Sequence, residues 1–352
     1  MKKNEGKTIS CIIIGDFGKD LDDEHTLAMA AGLQRAGFIE LLAVVGNLGP
    51  AEGRAAIAKG TLKQVGLGHV PVGIGTPVFS GSKAFPYETD IPYVADSSEL
   101  VRSGEELIVE TLSQVEDNSV TLVLQSGMTD AMCLLLRHEE LCVQKVAQVA
   151  MMAGVQQTGG SVALTGKFIQ PDDSSNVTFD WSSGAWLYAR LQELGIPMVI
   201  TTRHAAYACQ LPFRVYDDME QTGNPVGICL KARQQHSMEH LWKAACAPEG
   251  AEIRGTLPPR CNRSWFVNVF CAGKDPGDVD EIWPHTDRFN LYDPMNLLVA
   301  IPEIRNRFFN PKAITVLDTE HVIVGVSAEN HGIAAESALR EFMVEMEISG
   351  LS

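Results

Sequence analysis

The sequence predicts an α/β protein: an open, mostly parallel Rossmann-like sheet with helices on both faces and an irregular or helical insertion. Three observations carry that expectation. Short, near-continuous apolar runs rich in Val and Ile recur along the chain; stretches with helical spacing separate most of them; and the region from about 203 to 290 follows neither pattern. A run without alternation suits a strand covered on both faces, and the helix between two runs supplies the crossover that parallel strands need.

The elements follow in order. A strand at 10–14 precedes a helix at 24–35, and a strand at 41–45 precedes a helix at 51–65. Strands at 70–74 and 120–124 flank a helix at 103–115. A helix at 129–138 leads to a strand at 146–152, and a helix at 182–194 to a strand at 197–201. The last run, 313–326, precedes a helix at 334–346. The segment 203–290 is rich in Cys, Trp, Pro and Asn, with one helix expected over 232–246. It reads as an insertion lying over the sheet, so residues 1–352 are expected to form a single domain. The 352 residues suffice for a substantial core.

Composition narrows the function. Apolar residues make up 45% and charged residues 20%, the profile of a soluble globular protein. The formal net charge of −16 argues against nucleic acid and anionic membranes as partners, because both demand a basic surface. A small nucleotide, held by a few local donors, stays open. The basic start, MKKNEGKT, is followed by an apolar run too short for a signal peptide or a membrane span. The eight cysteines form no C-x-x-C pair, so zinc spacing is absent and a cytoplasmic location with reduced thiols is expected. Composition leaves the oligomeric state open, monomer or homo-oligomer.

The densest chemical signal is an acid cluster. Asp16, Asp20, Asp22 and Asp23 fall within eight positions, where the first strand gives way to a helix. Two anions about 4 Å apart repel by about 4 kcal/mol at an effective dielectric of about 20. A divalent cation with oxygen ligands is the usual agent that offsets such repulsion. Acids decorating a helix N-terminus are the plainer reading, which one or two carboxylates would satisfy better than four. In open α/β sheets ligands bind outside the carboxyl ends of the strands, which nominates the loops 15–23, 45–50 and 125–129.

Motifs in and beyond those loops occur in a fixed order: GDFGKDLDDE, AVVGN with Asn47, PVGIGTP at 71–77, SGMTD at 126–130, VAMMAG at 149–154, SSNVTFD at 174–180 and YDP at 292–294. Taken together they resemble the inosine–uridine nucleoside hydrolase superfamily, calcium-dependent N-ribosidases. The resemblance spans about residues 10–300. It implies Ca2+ held by Asp16, Asp23, Asp293 and the backbone carbonyl of Thr129. It also implies that Asp22 and Asn176 hold the ribose hydroxyls and that Asn47 orients the attacking water. Aligned without a gap to the family's D-x-D-x-G-x-D-D, the loop has Gly18 at the base position and Asp16 at the first aspartate. Two added residues put Asp16 at the base position instead. Because the chemistry requires a carboxylate there, the implied base is Asp16, with Asp20 in reserve. Each position has a plainer alternative: Asn47 as a turn residue, Asn176 as a helix cap, and Asp293-Pro294 as a helix start.

The sequence also departs from the family. Ser174 replaces a ribose-binding glutamate, and Tyr292 replaces the histidine of H-D-P. A phenol with a pKa near 10 hydrogen-bonds or stacks on a base but is a poorer proton donor at neutral pH. These changes, with the RCNRSWF and NVFC segments, resemble a divergent branch that includes type III effectors of plant pathogens. The branch implies a second function, binding of an adenine nucleotide or ADP-ribose without hydrolysis. Arg203, Arg260 and Arg263 are candidates for phosphate, and Tyr292 or Trp265 for flanking the base. A phosphatase with a strand-end aspartate would need an acid where Gly18 stands, and the DFG triplet at residue 16 has no kinase nucleotide lobe upstream.

Overall fold

The structure is a computed structural model and describes residues 6–77, 91–257 and 259–352. Strand β1 (Ile9–Gly15) lies inside the sheet, paired in parallel with β2 (Ile39–Gly46) and β4 (Val120–Leu124). Its residues Cys11 to Ile14 are at most 1% exposed, and they divide by parity: Cys11 and Ile13 enter one apolar cluster, Ile12 and Ile14 the other. Period-two alternation between two covered faces is why this strand reads as an unbroken apolar run.

The eight-stranded sheet has the order β7-β8-β6-β5-β4-β1-β2-β3. Here β3 is Val72–Ile74, β5 Val146–Met152, β6 Met198–Thr201, β7 Lys312–Val316 and β8 Thr319–Val324. All pairs are parallel except β7–β8. Ile14 registers with Val45 and with Leu124, and Leu124 with Met151, so the carboxyl ends of four strands finish level. That shared edge carries the loops bearing the acids.

Helices α1 (Asp22–Arg35) and α2 (Ala51–Gln64) follow β1 and β2, as the spacing predicts. Next come α3 (Gly104–Ser113), α4 (Thr129–Arg137), α5 (Glu139–Lys145), α6 (Ser175–Thr178) and α7 (Trp181–Leu194). The C-terminal helix, which ends the chain's order as α14 (Glu336–Leu351), packs on α1. A Cβ at Gly350 would sit 1.7 Å from the Ala28 carbonyl oxygen, and one at Gly32 would sit 2.0 Å from that of Met346. Only glycine permits that approach.

Three expectations need correction. The run 313–326 is two strands, an antiparallel hairpin turned at Leu317 (φ 46°) and Asp318 (φ 70°). The helix expected at 232–246 is α10, Pro225–Cys246, which starts seven residues earlier because Asn224 caps it and Pro225 opens it. The helix expected at 334–346 extends to Leu351. Within 203–290 the chain also forms α8 (Arg203–Ala208), α9 (Val215–Gln221), α11 (Arg263–Phe270) and a short ribbon pairing Leu211–Pro212 with Arg288–Phe289. Tyr216, Trp242 and Phe266 from this region join the cluster of Ile13 and Leu27. Then α12 (Asp293–Ala300) and α13 (Pro302–Phe308) lead to the hairpin. Among the described residues no helix is long and apolar enough to cross a membrane.

Candidate metal and ligand site

A cavity of about 460 Å³ opens at the carboxyl edge of the sheet. Asp16 and Asp20 reach it from the β1–α1 loop, Asp22 from the first turn of α1, Gln125 from just past β4, Met152 and Ala153 from the end of β5 and the residue after it, and Asp293 from the start of α12. Residues 270 positions apart meet directly: the Tyr292 amide donates to Asp22 Oδ2 at 2.7 Å. Gln125 Nε2 donates to the Asp293 carbonyl at 2.9 Å and to Thr26 Oγ1 at 3.3 Å, which ties the late segment to the sheet.

The carboxylates of Asp20, Asp23 and Asp293 each place an oxygen within 4.8 Å of the others. Asp23 is fully buried, and among the described residues none donates a hydrogen bond to either of its oxygens. A Cβ on Gly15 would lie 2.3 Å from Asp23 Oδ1, so the strand end must be glycine for this carboxylate to fit. Burial first, then Asp16, Asp293 and Asp20, holds Asp23 well above the usual carboxylate range. Asp293 is raised likewise, by burial and then by Asp22. Asp16 is pushed up to about 7 by burial and then by Asp20. Buried anions without donors are costly, and an all-oxygen donor set of this kind fits a hard divalent cation.

Among the sequence-predicted residues, Asp16, Asp22, Asn176, Tyr292 and Asp293 line the cavity. Asp20, the reserve candidate, lines it too and belongs to the converging triad, whereas Asp16 stands beside the triad. The turn that closes with the Lys19 amide on the Asp16 carbonyl at 3.0 Å folds Asp20 back towards Asp23. Asn176 Nδ2 bridges the carbonyls of Gln125 (3.1 Å) and Met152 (2.9 Å) at the ends of two strands.

Asn47 and Thr129 are not among the residues that line the cavity, and neither is Asp23. Asn47 Nδ2 donates to the Gly127 carbonyl (3.0 Å) and to Asp130 (2.9 Å), and its buried Oδ1 has no partner among the described residues. Thr129 is the first residue of α4, with its hydroxyl donating to Asp180 at 2.8 Å. Asp180 is in turn the N-cap of α7, so Asn176 is not that cap. Asp293 does open a helix with Pro294 at its first turn, and it also enters the triad. The two readings of that residue are compatible.

The arginines separate. Arg203 and Arg260 line the cavity together with Lys19. Arg263 does not: it is paired with Asp275 (2.8 Å) and Asp278 (2.9 Å) and lies over Trp242. Trp265 packs edge-on against Phe270 at 5.5 Å, away from the cavity, because α11 turns its apolar face to the core. The aromatic neighbours of the site are Tyr292, Tyr207 and Phe179. Tyr207 meets Tyr292 edge-on at 6.0 Å, and Lys19 Nζ lies 5.4 Å from the Phe179 ring. Sequence reasoning missed Gln125, Lys19, Tyr207 and Phe179. Gln125 was legible as the residue closing a strand within a nominated loop; Tyr207, inside the insertion, carried no such signal.

No protein-family model and no curated protein sequence matches the chain, but solved structures do. The purine-preferring ribonucleoside hydrolase from Gardnerella vaginalis superposes with a TM-score of 0.60 at 15% identity, over 97% of this chain and 100% of that one. The fold is that of the nucleoside hydrolases. Two effector structures are more similar. The effector protein XOO4466 matches with a TM-score of 0.84 at 27% identity, over 99% of this chain and 95% of that one. The type III effector XopQ, solved in complex with adenosine diphosphate ribose, matches with a TM-score of 0.85 at 27% identity, over 99% and 96%. The chain therefore resembles the divergent, effector-containing branch of the nucleoside hydrolases, as Ser174, Tyr292 and the RCNRSWF and NVFC segments implied.

Proposed function

We propose that the protein is a calcium-dependent N-ribosyl hydrolase that cleaves the N-glycosidic bond of a ribonucleoside or related ribosyl compound. The observation that carries this reading is the convergence of Asp20, Asp23 and Asp293, with both Asp23 oxygens buried and without a partner among the described residues. These three carboxylates, with the Thr129 carbonyl that the resemblance implies, would hold the ion. When bound, calcium lowers the pKa of a coordinated water. Asp16 accepts a proton from the attacking water, which Asn47 orients. Asp22 and Asn176 hold the ribose hydroxyls. The surrounding carboxylates stabilise positive charge developing on the sugar as the bond to the base breaks. Tyr292 and Tyr207 face the base, with Tyr292 as hydrogen-bond donor or stacking surface. The eight free cysteines suit a reducing, cytoplasmic setting. The chain is taken to act as one unit on a small-molecule nucleoside or nucleotide.

A second reading, binding of an adenine nucleotide or ADP-ribose without hydrolysis, is favoured by one feature. Lys19, Arg203 and Arg260 bring three cations to a cavity that is otherwise acidic, the donor set a diphosphate needs. Ribose release is to be measured with calcium over purine, pyrimidine and modified nucleosides, with and without 5′-phosphate, beside calorimetry with ADP-ribose. Release that a chelator abolishes supports the hydrolase. Tight binding of ADP-ribose with no release from any compound replaces it with the second reading.

A further inference from the structure

The acidic loop is held by side chains far away in sequence. Arg54, on α2 and 2% exposed, donates through Nη1 to the carbonyls of Asp16 and Phe17, each at 3.1 Å. Its Nε and Nη2 reach the Gly49 carbonyl at 3.3 and 3.1 Å. The Phe17–Gly18 peptide and the one after it are gripped from the other side as well. The Gly18 amide donates to Glu24 Oε2 at 3.3 Å, and Arg233 Nη2 donates to the Gly18 carbonyl at 3.3 Å. Glu24 and Arg233 are themselves ion-paired, with side chains 0% and 9% exposed. Gly18 needs this grip. Its φ of +86° belongs to the left-handed region, and its peptide is where the loop turns Asp20 back towards Asp23 and Asp293.

Arg233 comes from α10, inside the 203–290 segment, and meets the loop across 215 positions of sequence. It also lines a second chamber of about 200 Å³ that borders Asp20, Asp22 and Tyr292. We infer that Arg233, through its buried pair with Glu24, is a positioning residue for the cation triad, so that the 203–290 segment sets how tightly the acidic loop holds a divalent cation. The inference rests on the reading of the triad as a cation site. Groups that orient ligands from behind typically change metal affinity by about 10–100-fold when removed. Lysine at 233 would keep the charge beside Glu24 but lose the planar fork that spans Glu24 and Gly18 together.

The test compares the full-length protein with Arg233→Met, Arg233→Lys and, as a control on an exposed turn of the same helix, Lys243→Met. Calcium affinity is measured by calorimetry on the folded proteins, and amide exchange is followed at residues 18–20 without metal. The expected result is calcium binding about 10–100-fold weaker in Arg233→Met, an intermediate loss in Arg233→Lys and none in the control, with faster exchange at Gly18 in both Arg233 variants. Lower thermal stability with unchanged calcium affinity would reduce Arg233 to a structural role and overturn the inference. So would unchanged exchange at Gly18. A native protein that binds no calcium would instead remove the cation reading itself, and the exchange data would still show whether the clamp exists.

Discussion

The floor of the cavity and its rim come from different parts of the molecule and obey different constraints. The floor is made by strand ends and the first turns of α1 and α12: Asp23 is fully buried, and Asp16 and Asp293 are 5% and 6% exposed. Its backbone is held by sheet pairing and by buried donors such as Gln125 and Arg54. The rim comes largely from 203–290, where Arg203 is 43% and Tyr207 50% exposed. A rigid floor suits chemistry, because carboxylates crowded against their own repulsion must not relax apart. An exposed rim suits selection of ligands, since its side chains can change without disturbing the core. If this division holds, floor variants should alter the cation and the reaction, and rim variants should alter which ligand is bound.

The largest effect is expected at Asp23. Asp23→Asn should abolish the thermal stabilisation that calcium confers and reduce ribose release by at least about 100-fold, as loss of a direct ligand exceeds the loss of a supporting group. The same change should stabilise the metal-free protein by about 1–3 kcal/mol, since it deletes a buried anion that nothing solvates. The pH dependence sharpens the point. Asp16, Asp23 and Asp293 have folded pKa values raised above their unfolded ones, Asp16 to about 7. The folded state then binds more protons than the unfolded state, so metal-free stability should fall as pH rises from about 4 to 7. Saturating calcium should flatten that slope, and Asp23→Asn should reduce it. Thermal melts across that range, with and without chelator, are sufficient. A metal-free protein most stable at pH 7 would contradict the crowding.

The same division explains what was legible. The floor's residues sit at strand ends, and a buried parallel strand announces itself by its apolar run. The acid cluster of Asp16, Asp22 and Asp23 was therefore readable in the sequence, whereas Asp293, at the start of α12, was marked only by its place among the ordered motifs. The choice between Asp16 and Asp20 for the triad was not readable, because it depends on a turn at Gly18 held by Arg54, Glu24 and Arg233 from elsewhere. The rim was poorly legible for a related reason. Arg203, Arg260 and Arg263 look alike in sequence; Arg263 is held over Trp242 by Asp275 and Asp278, whereas Arg203, although 3.6 Å from Asp172, still lines the cavity.

That distinction gives a middle-sized prediction. Arg203→Ala and Arg260→Ala should each weaken ADP-ribose binding by about tenfold, the worth of one charge-assisted contact, and leave calcium affinity unchanged. Arg263→Ala should leave the ligand untouched. Calorimetry on the three variants decides; equal losses at all three would mean that overall charge attracts the ligand and that the rim has no specific geometry.

The smallest effect lies far from the cavity, at the one edge where the strand pattern misled. The run 313–326 reads as continuous because Val316, Leu317 and Val322 are apolar on either side of a reversal that lacks the Asn-Gly or Asp-Gly pair such turns favour. Leu317 and Asp318 both adopt positive φ, a conformation in which leucine is strained, and Leu317 is 51% exposed, so only part of its side chain packs to offset the strain. Replacing the pair by Asn-Gly should relieve it. Glycine also loosens the unfolded chain, which limits the gain to about 1 kcal/mol. A melt should show a rise of about 2–4 °C or less, with calcium and ADP-ribose affinities unchanged. A loss of stability would mean that Leu317 contributes packing its exposure does not reveal.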